Sequence, residues 1–236
     1  MLSTGPQARD LTLKICSTTE IYVMQCPLCH NLDIKEFHRD KVREYLQCKI
    51  CSLVFVPQKY HLSKQAEKAE YDKHCNSADD PGYRKFLNRL FAPMHMQLSP
   101  EAKGLEFGCG PGPALAKMFK EAGCRITLYD KFYFNDKVVL QDNYDFITAT
   151  EVFEHLSSPA TEITQLWKIL KPGGILGAMT KLVLDKESFV NWHYTRDLTH
   201  ISFFSKPTFI WLAEKLNAEV KFHGNDVIIL YKSSPA

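Results

Sequence analysis

The sequence predicts an α/β fold: an open, mostly parallel sheet ending in an antiparallel hairpin, with a small cysteine-bound ribbon ahead of it. Three observations predict it. A short apolar run, Lys103–Phe107, passes through a glycine-rich turn into a helix and then into a second strand ending at Asp130. Two Cys-x-x-Cys pairs, Cys26/Cys29 and Cys48/Cys51, are separated by eighteen residues. Near the C-terminus two apolar runs within Ala218–Lys232 flank Gly224-Asn225, which reads as a hairpin.

The 236 residues, 45% hydrophobic and 24% charged, are ordinary globular values and argue against a disordered chain. The longest apolar run near the C-terminus, Val227–Tyr231, is far below the ~18–20 residues of a membrane span. The first residues carry charge without an apolar segment, so no secretory signal, no membrane and a cytoplasmic location are expected. Net charge is +2, and residues 101–236 carry fifteen Lys/Arg against sixteen Asp/Glu. A protein that binds phosphate backbones usually advertises a basic face, so nucleic acid is possible as a partner but not favoured.

The elements follow in order. Residues 1–24 read as a tail and residues 25–60 as the ribbon. The spacing C-x-x-C…C-x-x-C is that of a structural zinc site: each pair makes a tight turn, and two turns complete a tetrahedron of thiolates with no open position. Val54-Phe55-Val56 is expected to pack behind it, and the metal to supply folding energy that some 35 residues cannot bury for themselves. His30 and His38 lie nearby as possible replacement ligands or as solvated ribbon histidines. Cys16, Cys75, Cys109 and Cys124 lack such spacing and read as reduced thiols. Residues 61–100 form a helical linker, broken at Asp79-Asp80-Pro81-Gly82, and residues 101–236 the main domain.

In that domain Gly108, Gly110 and Gly112 follow the first strand, Pro113 suits the first turn of a helix, and Arg125–Tyr129 is the next strand. This β-α-β unit, Rossmann-like in layout, holds adenosine-containing cofactors; glycines admit the ligand and the acid accepts ribose hydroxyls. A ligand-free glycine turn is the plainer alternative. The spacing G-x-G-x-G, with Pro113 where a dinucleotide fold wants its last glycine, departs from the pyrophosphate pattern. Glu106, two residues before Gly108, would repel a diphosphate and pair with the ammonium group of S-adenosylmethionine (SAM), so charge selects SAM.

With these residues in place, the sequence resembles the class I SAM-dependent methyltransferases over roughly residues 100–232, most closely the small-molecule enzymes of the ubiquinone-biosynthesis type. Asn143–Leu156 resembles that family's fourth strand and following turn, and Leu170–Leu176 the turn into its fifth strand. The resemblance implies that Glu106, Gly108, Gly110 and Gly112 surround the methionine part of SAM, that Asp130 binds the ribose, and that Thr150 lies along the methionine or adenosine edge. It also implies a helix and a third strand between Asp130 and the fourth strand, where only Lys131–Asn143 stand. Phe132, Tyr133 and Phe134 are expected to cover the adenine there, with Val138-Val139-Leu140 as a remnant edge strand. Tyr71, His74 and Arg89 are similar to residues of the helices that close over SAM in the family, or form a solvated helix face.

Methyl transfer requires an acceptor held in line and often relieved of a proton. His155 and His200 are the candidate bases; His155 follows the fourth strand at the ligand-binding edge of the sheet, and Asp197 could orient His200. Glu154-His155 could instead cap the helix beginning near Pro159. The segment Phe189–Phe204 is dense in aromatic and ionisable residues, as an acceptor lid would be, followed by a helix capped by Ser205. Trp192 and Tyr194 either stack on an aromatic acceptor or fill a seam, and Arg196 and Asp197 could pair with each other. The expected function is SAM-dependent methyl transfer to a small molecule. An RNA methyltransferase docking its substrate through the ribbon, or a SAM-binding module acting through a protein partner, are the alternatives; an N-P-P-Y tetrad and a Pro-Cys nucleophile are both missing from the sequence.

Overall fold

The computed structural model describes residues 24–73 and 77–234, so His74, Cys16, Cys75 and nearly all of the tail lie outside the described residues. The ribbon contributes β1 (Ile34–Arg39), β2 (Glu44–Cys48) and β3 (Val54–Phe55), all antiparallel. Helix α1 (Lys64–Tyr71) begins at Ser63, whose hydroxyl accepts the Ala66 N–H. Helix α2 (Pro81–His95) begins at Asp80, whose carboxylate accepts the Tyr83 N–H at 2.6 Å, with Pro81 in its first turn. The main domain then runs β4 (Lys103–Phe107), α3 (Ala114–Glu121), β5 (Arg125–Tyr129), β6 (Tyr144–Thr150), α4 (Pro159–Ile169), β7 (Leu170–Met179), α5 (Lys186–Val190), β8 (Ser202–Phe203), α6 (Lys206–Leu216), β9 (Ala218–His223) and β10 (Val227–Lys232). Ser205 and Thr208 close a capping box at the start of α6.

Six strands form one sheet in the order β5-β4-β6-β7-β10-β9; the first four are parallel, and the terminal hairpin adds antiparallel to β7. Both faces are covered, which is why its strands read as continuous apolar runs. On β10 the alternation is plain: Val227 and Ile229 join α2, α3 and Phe146 on one face, while Ile228 and Leu230 join α4, α6 and Ile147 on the other. The β5 edge differs from expectation. Val138–Leu140 is not a strand but part of a 3-10 helix, Lys137–Gln141, begun by Asp136 accepting the Val138 N–H. Three apolar residues satisfy either pattern, and a side chain able to cap the turn decides between them.

The ribbon is wedded to the main domain. Strand β8 extends the ribbon sheet, giving the order β1-β2-β3-β8 through Val54/Phe203 and Phe55/Ser202 pairing. Phe37, Tyr45, Val54 and Val56 share a buried cluster with Phe189, Tyr194, Ile201 and Phe203. Arg43, 2% exposed, donates to the carbonyls of Thr195 (2.8 Å), Asp197 (3.0 Å) and Leu198 (3.2 Å) and to the Tyr45 hydroxyl (2.9 Å). Among the described residues no helix is long and apolar enough to cross a membrane.

Candidate active site

The site lies where β4, β5 and β6 end. After β4 the chain turns sharply: Gly108 has φ +72°, its N–H donates to the Tyr129 carbonyl at 2.8 Å, and a Cβ there would strike Val152 at 2.5 Å. Gly110 has φ +61° and nothing within 4 Å of where its Cβ would stand, so the loop is bare on that side. Asp130 organises the turn. One carboxylate oxygen accepts the Gly110 N–H at 3.0 Å; the other accepts those of Phe132 (2.8 Å) and Tyr133 (3.1 Å). Glu106 is 6% exposed, and one of its oxygens accepts the Ala116 N–H at 2.7 Å in the first turn of α3. Its carboxylate is thus turned toward the helix under the loop, and burial raises its pKa to about 8. Burial, then the neighbouring acids Glu106 and Asp130, push the Cys109 thiol up as well. At the end of β6 the Thr150 hydroxyl is buried without a hydrogen-bond partner.

Past β6, Glu151 takes a left-handed conformation (φ +52°) with its N–H on the Met179 carbonyl, and Phe153–His155 forms a single 3-10 turn. Glu154 is fully buried. Its main-chain carbonyl accepts the Ile201 N–H, and the Ile201 carbonyl accepts the Val56 N–H, so a hydrogen-bonded path runs from ribbon to site. Tyr194 donates its hydroxyl proton to Glu154 Oε1, while Oε2 has no partner. Burial, then the neighbouring Glu151, raises Glu154 to about 8; burial raises Glu151 to about 7. Burial and the nearby His200 lower His155 to about 3, and burial lowers His200. Both imidazoles are therefore neutral near pH 7.

The structure brings His155 and His200 together, ring centroids 4.7 Å apart, one Nδ1 on the Thr199 carbonyl (3.1 Å) and the other on the Tyr194 carbonyl (2.7 Å). Glu154 does not cap α4, which starts at Ser158 without a side-chain cap. Tyr71 reaches over from α1, its ring centroid 5.2 Å from that of His155 in an edge-to-face contact and 5.8 Å from that of Phe132. Arg89 goes elsewhere, pairing with Asp226 at 2.6 Å. Trp192, half-buried, and Tyr194, buried, pack in the seam with Phe189 and Phe203, and Asp197 binds Thr199 instead of Arg196. Sequence reasoning passed over Arg43 and the carboxylate of Glu154; Arg43 stands just before β2 between Val42 and Glu44, where no local pattern sets it apart from other basic residues.

In the ribbon, Cys26–Cys51 and Cys29–Cys48 have Sγ–Sγ distances of 3.5 and 3.4 Å, and all four sulfurs lie within 4.8 Å of one another. Each Cys-x-x-Cys turn is closed by a following left-handed residue, His30 or Ser52, whose N–H returns to the first cysteine's carbonyl. His30 is exposed and His38 stacks on Tyr45, so neither joins the sulfurs.

Residues 76–221 match the family described as "Methyltransferase domain". A comparison with curated proteins finds no match. Among solved structures, an O-methyltransferase family protein from Burkholderia thailandensis is similar at 13% identity and TM-score 0.52, over 75% of this chain and 63% of that one. The 1,6-didemethyltoxoflavin-N1-methyltransferase of the same organism, solved with 1,6-didemethyltoxoflavin and S-adenosylhomocysteine bound, is similar at 14% identity and TM-score 0.50, over 84% of this chain and 98% of that one. With the family match extending over more than half of its length and the fold in agreement, the chain belongs to the methyltransferase-domain family and has the class I methyltransferase architecture.

Proposed function

We propose that the protein is a SAM-dependent methyltransferase acting on a small-molecule acceptor, with a structural zinc ion in its ribbon. The observation that carries the reading is the glycine loop: bare at Gly110, underlain by the acids Glu106 and Asp130, and adjoined by the unpartnered Thr150 hydroxyl. A ligand bearing two positive charges and several hydroxyls fits these residues; a diphosphate does not. Asp130 would accept the ribose hydroxyls with lone pairs left over from its amide bonds. Gly108, Gly110 and Gly112 would line the methionine part, Glu106, whose burial favours its neutral form, would ionise beneath the ligand's positive charge, and Thr150 would bond along its edge. When bound, SAM supplies an electrophilic methyl group. The chain's own work is to hold the acceptor in line, keep water out beneath Tyr71, and take up a proton where the acceptor has one; His155 and His200, neutral and adjacent, are the groups suited to that.

The four thiolates fit zinc by their chemistry and spacing, since Zn–S bonds of ~2.3 Å set tetrahedral S–S edges of roughly 3.8 Å. Its role would be to hold the ribbon against residues 194–203. A small acceptor is favoured by the absence of a charge excess in the main domain, and by the bound ligand of the toxoflavin enzyme, whose fold is alike. The proposed organisation remains a ribbon at 25–60, a helical cover at 61–100 and the catalytic domain from 101, in a cytoplasmic protein.

The test is SAM binding by calorimetry for the wild type and Asp130→Ala, followed by incubation of labelled SAM with cell extract split into RNA, protein and metabolite fractions. Wild-type heat that is lost in the variant, with label among metabolites, is the expected outcome. No heat from the wild type overturns SAM dependence, and label only in RNA overturns the small-molecule acceptor.

A further inference from the structure

We propose that Glu154, His155 and His200 form a binding site for a divalent cation beside the end of β6. One ligating atom from each, a carboxylate oxygen and two imidazole nitrogens, lies within 4.8 Å of the other two. Each imidazole spends Nδ1 on a main-chain carbonyl, that of Thr199 or Tyr194, so Nδ1 carries the proton and Nε2 keeps its lone pair. This is how metal-binding histidines are held, with the second nitrogen tied back to fix tautomer and ring. The carboxylate gives an independent indication. Glu154 is 0% exposed, Tyr194 satisfies Oε1, Oε2 has no partner, and no lysine or arginine pairs with it among the described residues. A buried carboxylate oxygen without a donor is costly, and a cation removes the cost. Asp197 adds negative charge at the rim, with Oδ2 3.7 Å from His200 Nε2 and Oδ1 held by Thr199.

Two histidines and one carboxylate leave coordination positions open, and those positions take oxygen ligands such as water or an acceptor hydroxyl. The inference deepens the methyltransferase reading, on which it rests only for the acceptor: with Nδ1 protonated and Nε2 on the cation, neither imidazole takes the acceptor's proton, and a hydroxyl bound to the cation ionises more readily instead, its proton passing to water. The set differs in kind from the ribbon. Four thiolates favour zinc, whereas nitrogen and oxygen ligands accept Mn²⁺, so Mn²⁺ is a selective probe.

The experiment titrates the zinc-replete 236-residue chain with Mn²⁺, following free Mn²⁺ by electron paramagnetic resonance and imidazole nitrogen coupling by electron spin echo modulation. One Mn²⁺ per chain with histidine nitrogen coupling is expected, weakened at least tenfold in Glu154→Gln and in His200→Gln. Absence of binding below millimolar Mn²⁺, or binding without nitrogen coupling, overturns the proposal; the wild-type spectrum decides even if a variant fails to fold. SAM calorimetry on the same samples separates the two readings. Heat without Mn²⁺ binding removes the cation site alone, and nitrogen-coupled Mn²⁺ without heat removes SAM dependence alone.

Discussion

Replacing Arg43 tests whether the ribbon positions the catalytic end of the molecule. The guanidinium is 2% exposed and donates to three main-chain carbonyls, of Thr195, Asp197 and Leu198, as well as to Tyr45. In Arg43→Met the three carbonyls lose their donor at ~1–3 kcal/mol each, partly offset by removing a buried charge, for a net loss of about 3–5 kcal/mol. At ~2–4 °C per kcal/mol for a chain of this size, the melting temperature falls by roughly 6–20 °C. Those carbonyls flank Thr199 and His200, so the disturbance is local as well as global. Hydrogen exchange should show amides of residues 194–201 exchanging about a hundredfold faster, as a local loss near 3 kcal/mol requires. Arg43→Lys, a point charge without the planar fork, should recover part of the loss. A melting temperature within a degree of wild type, with exchange in 194–201 unchanged, would refute the argument that this residue ties ribbon to site.

Other predictions follow from particular contacts. Gly108→Ala drives a Cβ into Val152 at 2.5 Å and should lose both stability and SAM binding, whereas Gly110→Ala meets no atom and should cost only about 1 kcal/mol of left-handed strain while still weakening SAM, as melting and calorimetry would report. Glu106 has a raised pKa in the fold, so its neutral form is favoured and stability should fall as pH rises from its unfolded value near 4.5 through about 8; Glu106→Gln should reduce that slope in denaturation series at pH 5.5 and 8, the remainder belonging to Glu151 and Glu154. Chelating the metal should release one zinc per chain and make four more thiols reactive toward a disulfide reagent, with a fall in melting temperature. Thr150→Val should leave the unliganded fold as stable or slightly more so, because it removes a buried unpaired hydroxyl, while reducing SAM affinity in titration.

Much of the fold was legible because local patterns and the tertiary structure agree. The strand–glycine–helix unit, the acid at Asp130, the closing hairpin and the four cysteines are each short-range signals with one structural solution. What escaped was long-range or too short to carry a period. Strand β8 is two residues long, and its partner lies about 150 positions earlier in the chain. Nothing local in Ser202-Phe203 announces that pairing, so the aromatic residues before it read as a pocket lid when they are mortar between ribbon and sheet. The histidines were visible as candidates, but their closeness to Glu154 depends on the loop being folded back by Arg43 and Ile201. The orientation of Glu106 toward the Ala116 amide was likewise beyond the sequence, because spacing from the glycines does not say which way a carboxylate faces.

The shared ladder between Val54-Phe55 and Ser202-Phe203 sets a limit on dissection of the protein. A chain shortened to begin after Phe55 would be no minimal catalyst. It would present a bare strand edge and the rings of Phe189, Tyr194 and Phe203 to water, an invitation to self-association. Evolutionary loss of the ribbon would therefore have to be accompanied by rebuilding of the loop that carries His200.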